Sequence, residues 1–139
     1  MNRALLDTDI LSEIMRAKNP RISEKARSYR DEYGRFTVSV VTIAEVVKGL
    51  VKARREPMLH RFLAELRQFE VLPFTTEHAI VAGRIYAELE RAGQPIGRAD
   101  PMIAATAIGH DLEIVTGNID HYQRLNSLGF GVRLSSWRG

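Results

Sequence analysis

Short apolar segments that end on acidic or polar residues recur along the chain, and this alternation most constrains its fold. Ala4–Leu6 runs directly into Asp7, and Phe36–Val41 and Glu113–Thr116 are likewise followed by polar turns or helix starts. Stretches with helical periodicity lie between these segments. Strands that alternate with helices predict a parallel sheet covered by helices on both faces, which is an α/β fold.

The elements expected from apolar spacing and cap residues make a helix-rich domain. Helix-start signals are Asn19-Pro20, Thr75 and Asp100-Pro101, and Thr42 with Glu45 has the form of a capping box. The predicted strands are Ala4–Leu6, Phe36–Val41, Glu70–Pro73, Glu113–Thr116 and Val132–Leu134. The predicted helices are Ile10–Arg16, Pro20–Arg30, one opening at Thr42, one opening at Pro57, Glu77–Arg91, Met102–Gly109 and Asp120–Leu125.

Length and composition exclude several classes of protein. The chain has 139 residues, 45% of them hydrophobic, so we expect a single domain over residues 1–139 with its own core. The absence of cysteine excludes disulfides, zinc–thiolate sites and cysteine nucleophiles. No apolar run approaches the roughly 20 residues that span a bilayer, and no secretory signal opens the sequence, so we expect a soluble cytoplasmic protein. The histidines show no zinc-like spacing, and we expect His60, His78 and His110 on helix surfaces.

Positive charge is concentrated in the first half of the chain. The net charge is +3, with 14 Lys and Arg against 10 Asp and Glu in residues 1–70, and 6 against 7 in residues 71–139. This asymmetry fits a polyanionic partner such as RNA. Ordinary solvated helix faces explain it equally well.

Several acidic or amide side chains are expected at the carboxyl edge of the sheet. Each has an ordinary structural explanation, because each can cap a helix or stabilise a turn. Capping and turn formation do not explain why these residues are grouped. Crowded carboxylates repel one another and raise one another's pKa, and a hard divalent cation such as Mg²⁺ relieves that repulsion. The pattern therefore predicts a metal site able to activate water for attack on a phosphodiester. Its candidate residues are Asp7, Asp9, Glu45, Asp100, Asn118 and Asp120.

Four segments in order along the chain resemble the PIN-domain ribonucleases, in particular the VapC toxins of toxin–antitoxin pairs. They are LLDTDILS (5–12), TIAEVVKG (42–49), IGRADPMIAATA (96–107) and IVTGNIDHY (114–122). The resemblance implies a three-layer α/β/α fold and RNA cleavage with Mg²⁺ or Mn²⁺, with a tRNA among the plausible substrates. It also implies a homodimer and a small cognate antitoxin that covers the metal site.

The resemblance assigns roles to individual residues. Asp7, Glu45 and Asp100 match the metal-site acids, and Asn118 matches a fourth position where Asp or Asn occurs. Asp9 stands where Asn is more usual and is assigned local support, while Asp120 is an auxiliary candidate that would compensate for the neutral Asn118.

Two surfaces are expected to serve the partners that the resemblance implies. The basic helix 21–30 and the segment Lys48–Arg55 are candidate phosphate contacts. The apolar residues Val46, Val47, Leu50 and Val51 form either a dimer or antitoxin contact or a plain core face.

Two rival functions remain open on the sequence. Asp7-Thr8-Asp9 also resembles the opening motif of haloacid-dehalogenase-like phosphatases, with Asp7 as nucleophile, although Leu11 and the lack of a later lysine and acid-pair motif speak against it. A phosphoenzyme intermediate would identify that class. The other rival is a catalytically silent module that binds only RNA or antitoxin, and the intact Asp7, Glu45 and Asp100 speak against this.

Overall fold

The protein is built around a five-stranded sheet in the computed structural model, which describes residues 1–138. The strands are β1 (Ala4–Leu6), β2 (Thr37–Ser39), β3 (Glu70–Leu72), β4 (Glu113–Val115) and β5 (Leu134–Ser135). All neighbouring strands pair in parallel, in the order β3-β2-β1-β4-β5. β1 is therefore the central strand, with β2 on one side and β4 on the other.

Helices cover both faces of this sheet. They are α1 (Thr8–Arg16), α2 (Pro20–Tyr33), α3 (Val40–Lys52), α4 (Glu56–Glu65), α5 (Thr76–Arg91), α6 (Ala99–Gly109) and α7 (Ile119–Ser127). Buried side chains of α1 to α4 form one core and those of α5 to α7 form the other. The predicted three-layer α/β/α fold is confirmed.

The central strands are buried on both faces, as expected for a parallel sheet between two helical layers. Leu5 and Ile114 pack into the core of α5 to α7, whereas Leu6 and Val115 pack into the core of α1 to α4. This alternation follows from the two-residue period of a strand, and it explains why these strands are apolar at every position.

A side chain supplies backbone hydrogen bonds at the amino end of β1. β2 registers with β1 only at Leu5 and Thr37, and the hydroxyl of Tyr29 in α2 serves the preceding residue. It lies 3.1 Å from the Ala4 nitrogen, whose N–H it accepts, and 3.2 Å from the Ala4 carbonyl oxygen, to which it donates. Without the Tyr29 hydroxyl, the buried N–H of Ala4 would lack a partner.

The boundary between β2 and α3 differs from the prediction. The strand was expected to continue to Val41, with Thr42 capping the next helix, but α3 begins at Val40. The Oγ of Ser39, the last residue of β2, accepts a hydrogen bond from the Val41 nitrogen at 3.0 Å and so caps α3. The capping box of Thr42 and Glu45 is therefore wrong, because Thr42 lies buried inside the helix.

Other helix starts give a mixed result. Asn19 caps α2 and Thr75 caps α5, as predicted. Asp100 does not cap α6, because the helix begins one residue earlier, at Ala99. His78 was expected on a helix surface but is buried. Its Nδ1 accepts a hydrogen bond from the Thr75 nitrogen at 3.2 Å.

Within residues 1–138, no helix is long and apolar enough to cross a membrane.

We expect Tyr29→Phe to lower the free energy of unfolding by about 1–3 kcal/mol, because it leaves the N–H of Ala4 buried without a partner. Urea denaturation measures this value. Tyr33→Phe is the matched control, since the Tyr33 hydroxyl donates to the exposed Met1 carbonyl oxygen. Equal destabilisation by the two changes would contradict the role given to Tyr29.

Candidate active site

Three neighbouring strands deliver polar residues to one edge of the sheet. β1 ends at Leu6 and is followed by Asp7, while β4 ends at Val115 and is followed by Thr116. β2 ends at Ser39 and leads into α3, which carries Glu45. The connections diverge to either side of β1 here, and such a point at the carboxyl ends of parallel strands is where α/β proteins place their binding sites.

Asp7 is a buried carboxylate at the centre of this edge. It is 2% exposed. Its Oδ1 accepts from the Thr8 nitrogen and its Oδ2 from the Thr116 hydroxyl, both at 2.8 Å. Burial raises the pKa of Asp7 to about 7, and the charges of Asp9 and Asp100 add to this rise, which outweighs the effect of the two hydrogen bonds.

Glu45 is tied to Asp7 through the intervening Thr8. The Thr8 hydroxyl donates to Glu45 Oε1 at 2.5 Å and lies 3.3 Å from the hydroxyl of Thr42. Thr8 thus uses its backbone N–H for one acid and its hydroxyl for the other. This linkage brings the second helix turn of α3 to the edge where Asp7 lies.

Asp100 approaches the same edge from α6. Its Oδ2 lies 3.3 Å from Nδ1 of His121 in α7, close enough for a protonated nitrogen to donate a hydrogen bond. The negative charge of Asp100 repels that of Asp7 and so contributes to the raised pKa of Asp7.

A buried tyrosine lies behind these acids. Tyr122 in α7 is fully buried, and its hydroxyl faces the Asp7 carboxylate. Burial raises its pKa well above the usual value, and the charges of Asp7 and Asp100 raise it further. The buried phenol of Tyr122 therefore borders the Asp7 carboxylate from the side of α7.

Asp9 is engaged by the backbone and by a distant arginine. Its Oδ1 accepts from the Ile10 nitrogen at 2.8 Å and its Oδ2 from the Gly117 nitrogen at 2.9 Å. Nη2 of Arg138 lies 3.8 Å from the same Oδ2 and 2.6 Å from Oε1 of Glu13. Burial raises the pKa of Asp9, and the bonds to Gly117 and Ile10 and the charge of Arg138 oppose that rise.

The remaining predicted residues are more peripheral. The backbone nitrogen of Asn118 donates to the Thr116 hydroxyl at 2.9 Å, while its exposed side chain makes no capping bond to α7. Asp120 is exposed in the first turn of α7 and makes no ion pair or hydrogen bond with residues 1–138.

The acids lie at one edge of the sheet but do not form a complete set of metal ligands. Across the described residues 1–138, no three carboxylate or histidine side chains converge tightly enough to hold a metal ion by themselves. The charge of Asp100 lies close enough to raise the pKa of Asp7, and Thr8 joins Glu45 to Asp7.

Three residues that organise the site were not identified from the sequence. Thr8 and Thr116 position the acids, and Tyr122 encloses them. The sequence offered one signal, which is that Thr8 and Thr116 each adjoin a strand end. A threonine there is common, so the signal is weak.

Comparison with known proteins places this geometry in a family. The PIN domain family matches residues 4–126. The tRNA(fMet)-specific endonuclease VapC of Shigella flexneri is 34% identical, and the protein of the same name from Salmonella typhimurium is 31% identical, each over 99% of both chains. The DNA-bound VapBC structure from Salmonella typhimurium superposes with a TM-score of 0.82 at 31% identity, over 99% of both chains. The chain therefore belongs to the PIN domain family, among proteins of the VapC type.

Proposed function

We propose that this chain is an endoribonuclease toxin that hydrolyses RNA phosphodiester bonds and depends on a divalent metal. The observation that carries the proposal is the placement of Asp7, Glu45 and Asp100 at one sheet edge, with Asp7 buried and its pKa raised to about 7. Its relatives include tRNA(fMet)-specific endonucleases, so a tRNA is the proposed substrate. The phosphatase alternative is set aside because residues 4–126 match the PIN domain.

The residues present suit a hard divalent cation. Asp7, Glu45 and Asp100 would hold Mg²⁺ or Mn²⁺, since both ions prefer carboxylate oxygens and the chain has no cysteine. Their incomplete convergence agrees with Mg²⁺, which keeps several waters and takes further ligands from phosphate oxygens. When bound, the cation makes water more acidic and neutralises charge on the phosphodiester.

The chain's own residues position these acids. Thr116 and the Thr8 nitrogen hold the two oxygens of Asp7, the Thr8 hydroxyl holds Glu45, and His121 lies against Asp100. We assign to the exposed amide of Asn118 the orientation of a ligand or water, and to Asp9 a supporting role. Asp120 remains an auxiliary candidate on the rim. Hydrolysis adds water across one P–O bond of the RNA backbone.

Basic helix surfaces would position the RNA. The charged residues of helix 21–30 and of Lys48–Arg55 are exposed, so their cations are accessible to phosphates. Contacts of this kind set the register of a nucleic acid without reading its sequence.

A protein partner is also proposed. The Salmonella typhimurium neighbour is a VapBC complex, and by this likeness we assign a small cognate antitoxin and a homodimer to this chain. Val46 is 5% exposed and belongs to the core, so the plain core reading is right for it. Val51 is 50% exposed and remains available for a contact.

We expect Asp7→Asn to reduce cleavage of total cellular RNA, and of tRNA in particular, by more than about 100-fold. Losing a group that merely supports a metal ligand already costs about 10–100-fold. Initial rates with Mg²⁺ or Mn²⁺ measure the loss. Asp111→Asn is the matched control, because Asp111 is exposed and precedes β4 at the opposite edge of the sheet. Cleavage that survives Asp7→Asn would show that the site is assigned wrongly.

We expect purified protein to bind Mn²⁺ in a calorimetric titration, and Asp7→Asn or Asp100→Asn to weaken that binding strongly, since each removes a charged ligand. Asp111→Asn should bind as the parent chain does. A catalytically silent module would show no binding that depends on Asp7 or Asp100, and that result would favour this alternative.

We expect Asp7→Asn to stabilise the metal-free protein at alkaline pH. The pKa of Asp7 is about 7 in the folded protein against 3.8 for the unperturbed group. The folded state therefore holds this proton more tightly, and the stability it provides is lost as pH rises from about 4 through 7. Asp7→Asn has no proton to release at this position, so its free energy of unfolding does not fall in this way. The fall in the parent chain is at most about 4 kcal/mol.

Urea denaturation in EDTA from pH 4 to 8 measures the difference between variant and parent. The difference should shift in favour of Asp7→Asn as pH rises, while Asp111→Asn should show no such trend. A difference independent of pH would mean that Asp7 titrates normally.

A further inference from the structure

A cavity of about 210 Å³ opens beside Glu45, between α1, α3 and the start of α4. Thr8 and Glu45 form the side of the cavity that adjoins the acidic edge. Its apolar wall includes the half-buried Met15, Leu50 and Met58. It is smaller than the pockets of roughly 300 Å³ or more that hold drug-sized molecules, so it suits a single ring.

A glycine keeps this cavity open. Gly49 lines it from the last turns of α3, and a Cβ built there meets no atom within 4 Å. Its backbone is helical, without a positive φ. Neither close packing nor backbone geometry requires glycine here, and alanine would favour the helix. Glycine at position 49 therefore leaves this side of the cavity free of a side chain.

Two arginines flank the same cavity. Arg16 at the end of α1 and Arg55 before α4 both line it and are exposed. Neither forms an ion pair with any of residues 1–138, whereas Arg138 pairs with Glu13. Guanidinium groups with no acidic partner in the fold are suited to bind phosphate in a fork.

We propose that this cavity binds one nucleotide of the RNA substrate next to the scissile phosphate. The base lies against the methionine and leucine wall, whose thioethers contact aromatic rings favourably, and the neighbouring phosphates pair with Arg16 and Arg55. The proposal rests on the ribonuclease function proposed above. A polyanion is favoured over a protein segment because both cationic side chains that line the cavity, Arg16 and Arg55, have no acidic partner among residues 1–138.

The test fills the cavity without disturbing the core. We expect Gly49→Leu to weaken RNA binding and raise the KM for RNA cleavage by at least about 10-fold, or about 1.4 kcal/mol, because the leucine occupies the space assigned to the base. Gly83→Leu is the matched control, because Gly83 is an exposed glycine of α5 that also has no atom within 4 Å of a Cβ. Both changes replace glycine by leucine at an exposed helix position, where leucine has the higher helix propensity. The melting temperature should therefore rise or stay equal in both variants.

Binding is measured by fluorescence anisotropy with a labelled single-stranded RNA of mixed sequence, about ten nucleotides long. The Asp7→Asn background prevents cleavage during this titration. Separately, Arg55→Gln should reduce the salt slope of binding by about 0.7 for its one phosphate, while Arg84→Gln on α5 should not change it.

The outcomes separate the two proposals. If the parent chain cleaves no RNA, the ribonuclease function fails and the cavity assignment fails with it. If the parent chain cleaves RNA and Gly49→Leu matches Gly83→Leu, only the cavity assignment is wrong. If Gly49→Leu keeps its RNA affinity but loses binding of the proposed cognate antitoxin, the cavity holds the antitoxin instead, which also overturns the assignment.

Discussion

The burial of one carboxylate at the end of the central strand determines the organisation of the site. The nitrogen of Asp7 donates to the Val115 carbonyl oxygen at 2.9 Å, which continues the parallel pairing of β1 with β4 beyond Leu6. The register of Leu6 with Val115 then sets Thr116 beside the Asp7 side chain. A charge buried there is costly, and its two hydrogen bonds offset that cost only in part, as the raised pKa shows.

The layout of the sheet and the acids at its carboxyl edge were predictable because local patterns encode both. Strand ends and helix starts show in the order of apolar and polar residues, so the sequence alone predicts Asp7 and Asp100 as candidate site residues. The supporting hydroxyls were not predictable, because Thr8 with Glu45 and Thr116 with Asp7 are pairs separated by 37 and 109 residues. Only the register of the folded sheet brings them together.

The unexpected start of α3 changes the role of its acid. In a capping box Glu45 would turn back to the Thr42 nitrogen, but Ser39 caps the helix instead and leaves the carboxylate for Thr8. Thr42, Glu45 and Gly49 are spaced by three and four residues and share one helix face. The earlier start of α3 therefore frees Glu45 from a capping role, and the acid and the open cavity lie together on the side that faces α1. Propensity did not reveal this, because Val40 and Val41 favour strands in isolation.

The added acid Asp9 shows how the fold balances charge near the site. Both of its oxygens accept backbone N–H groups, and Arg138, near the opposite end of the chain, lies 3.8 Å away. A Cβ on Gly117 would lie 2.1 Å from Nη1 of Arg138 and 2.6 Å from Oδ2 of Asp9. Glycine at position 117 is therefore what allows the arginine and the carboxylate to meet over the turn after β4. Since its lone pairs and its charge are already engaged, Asp9 is suited to hold the β4 turn in place next to Asp7.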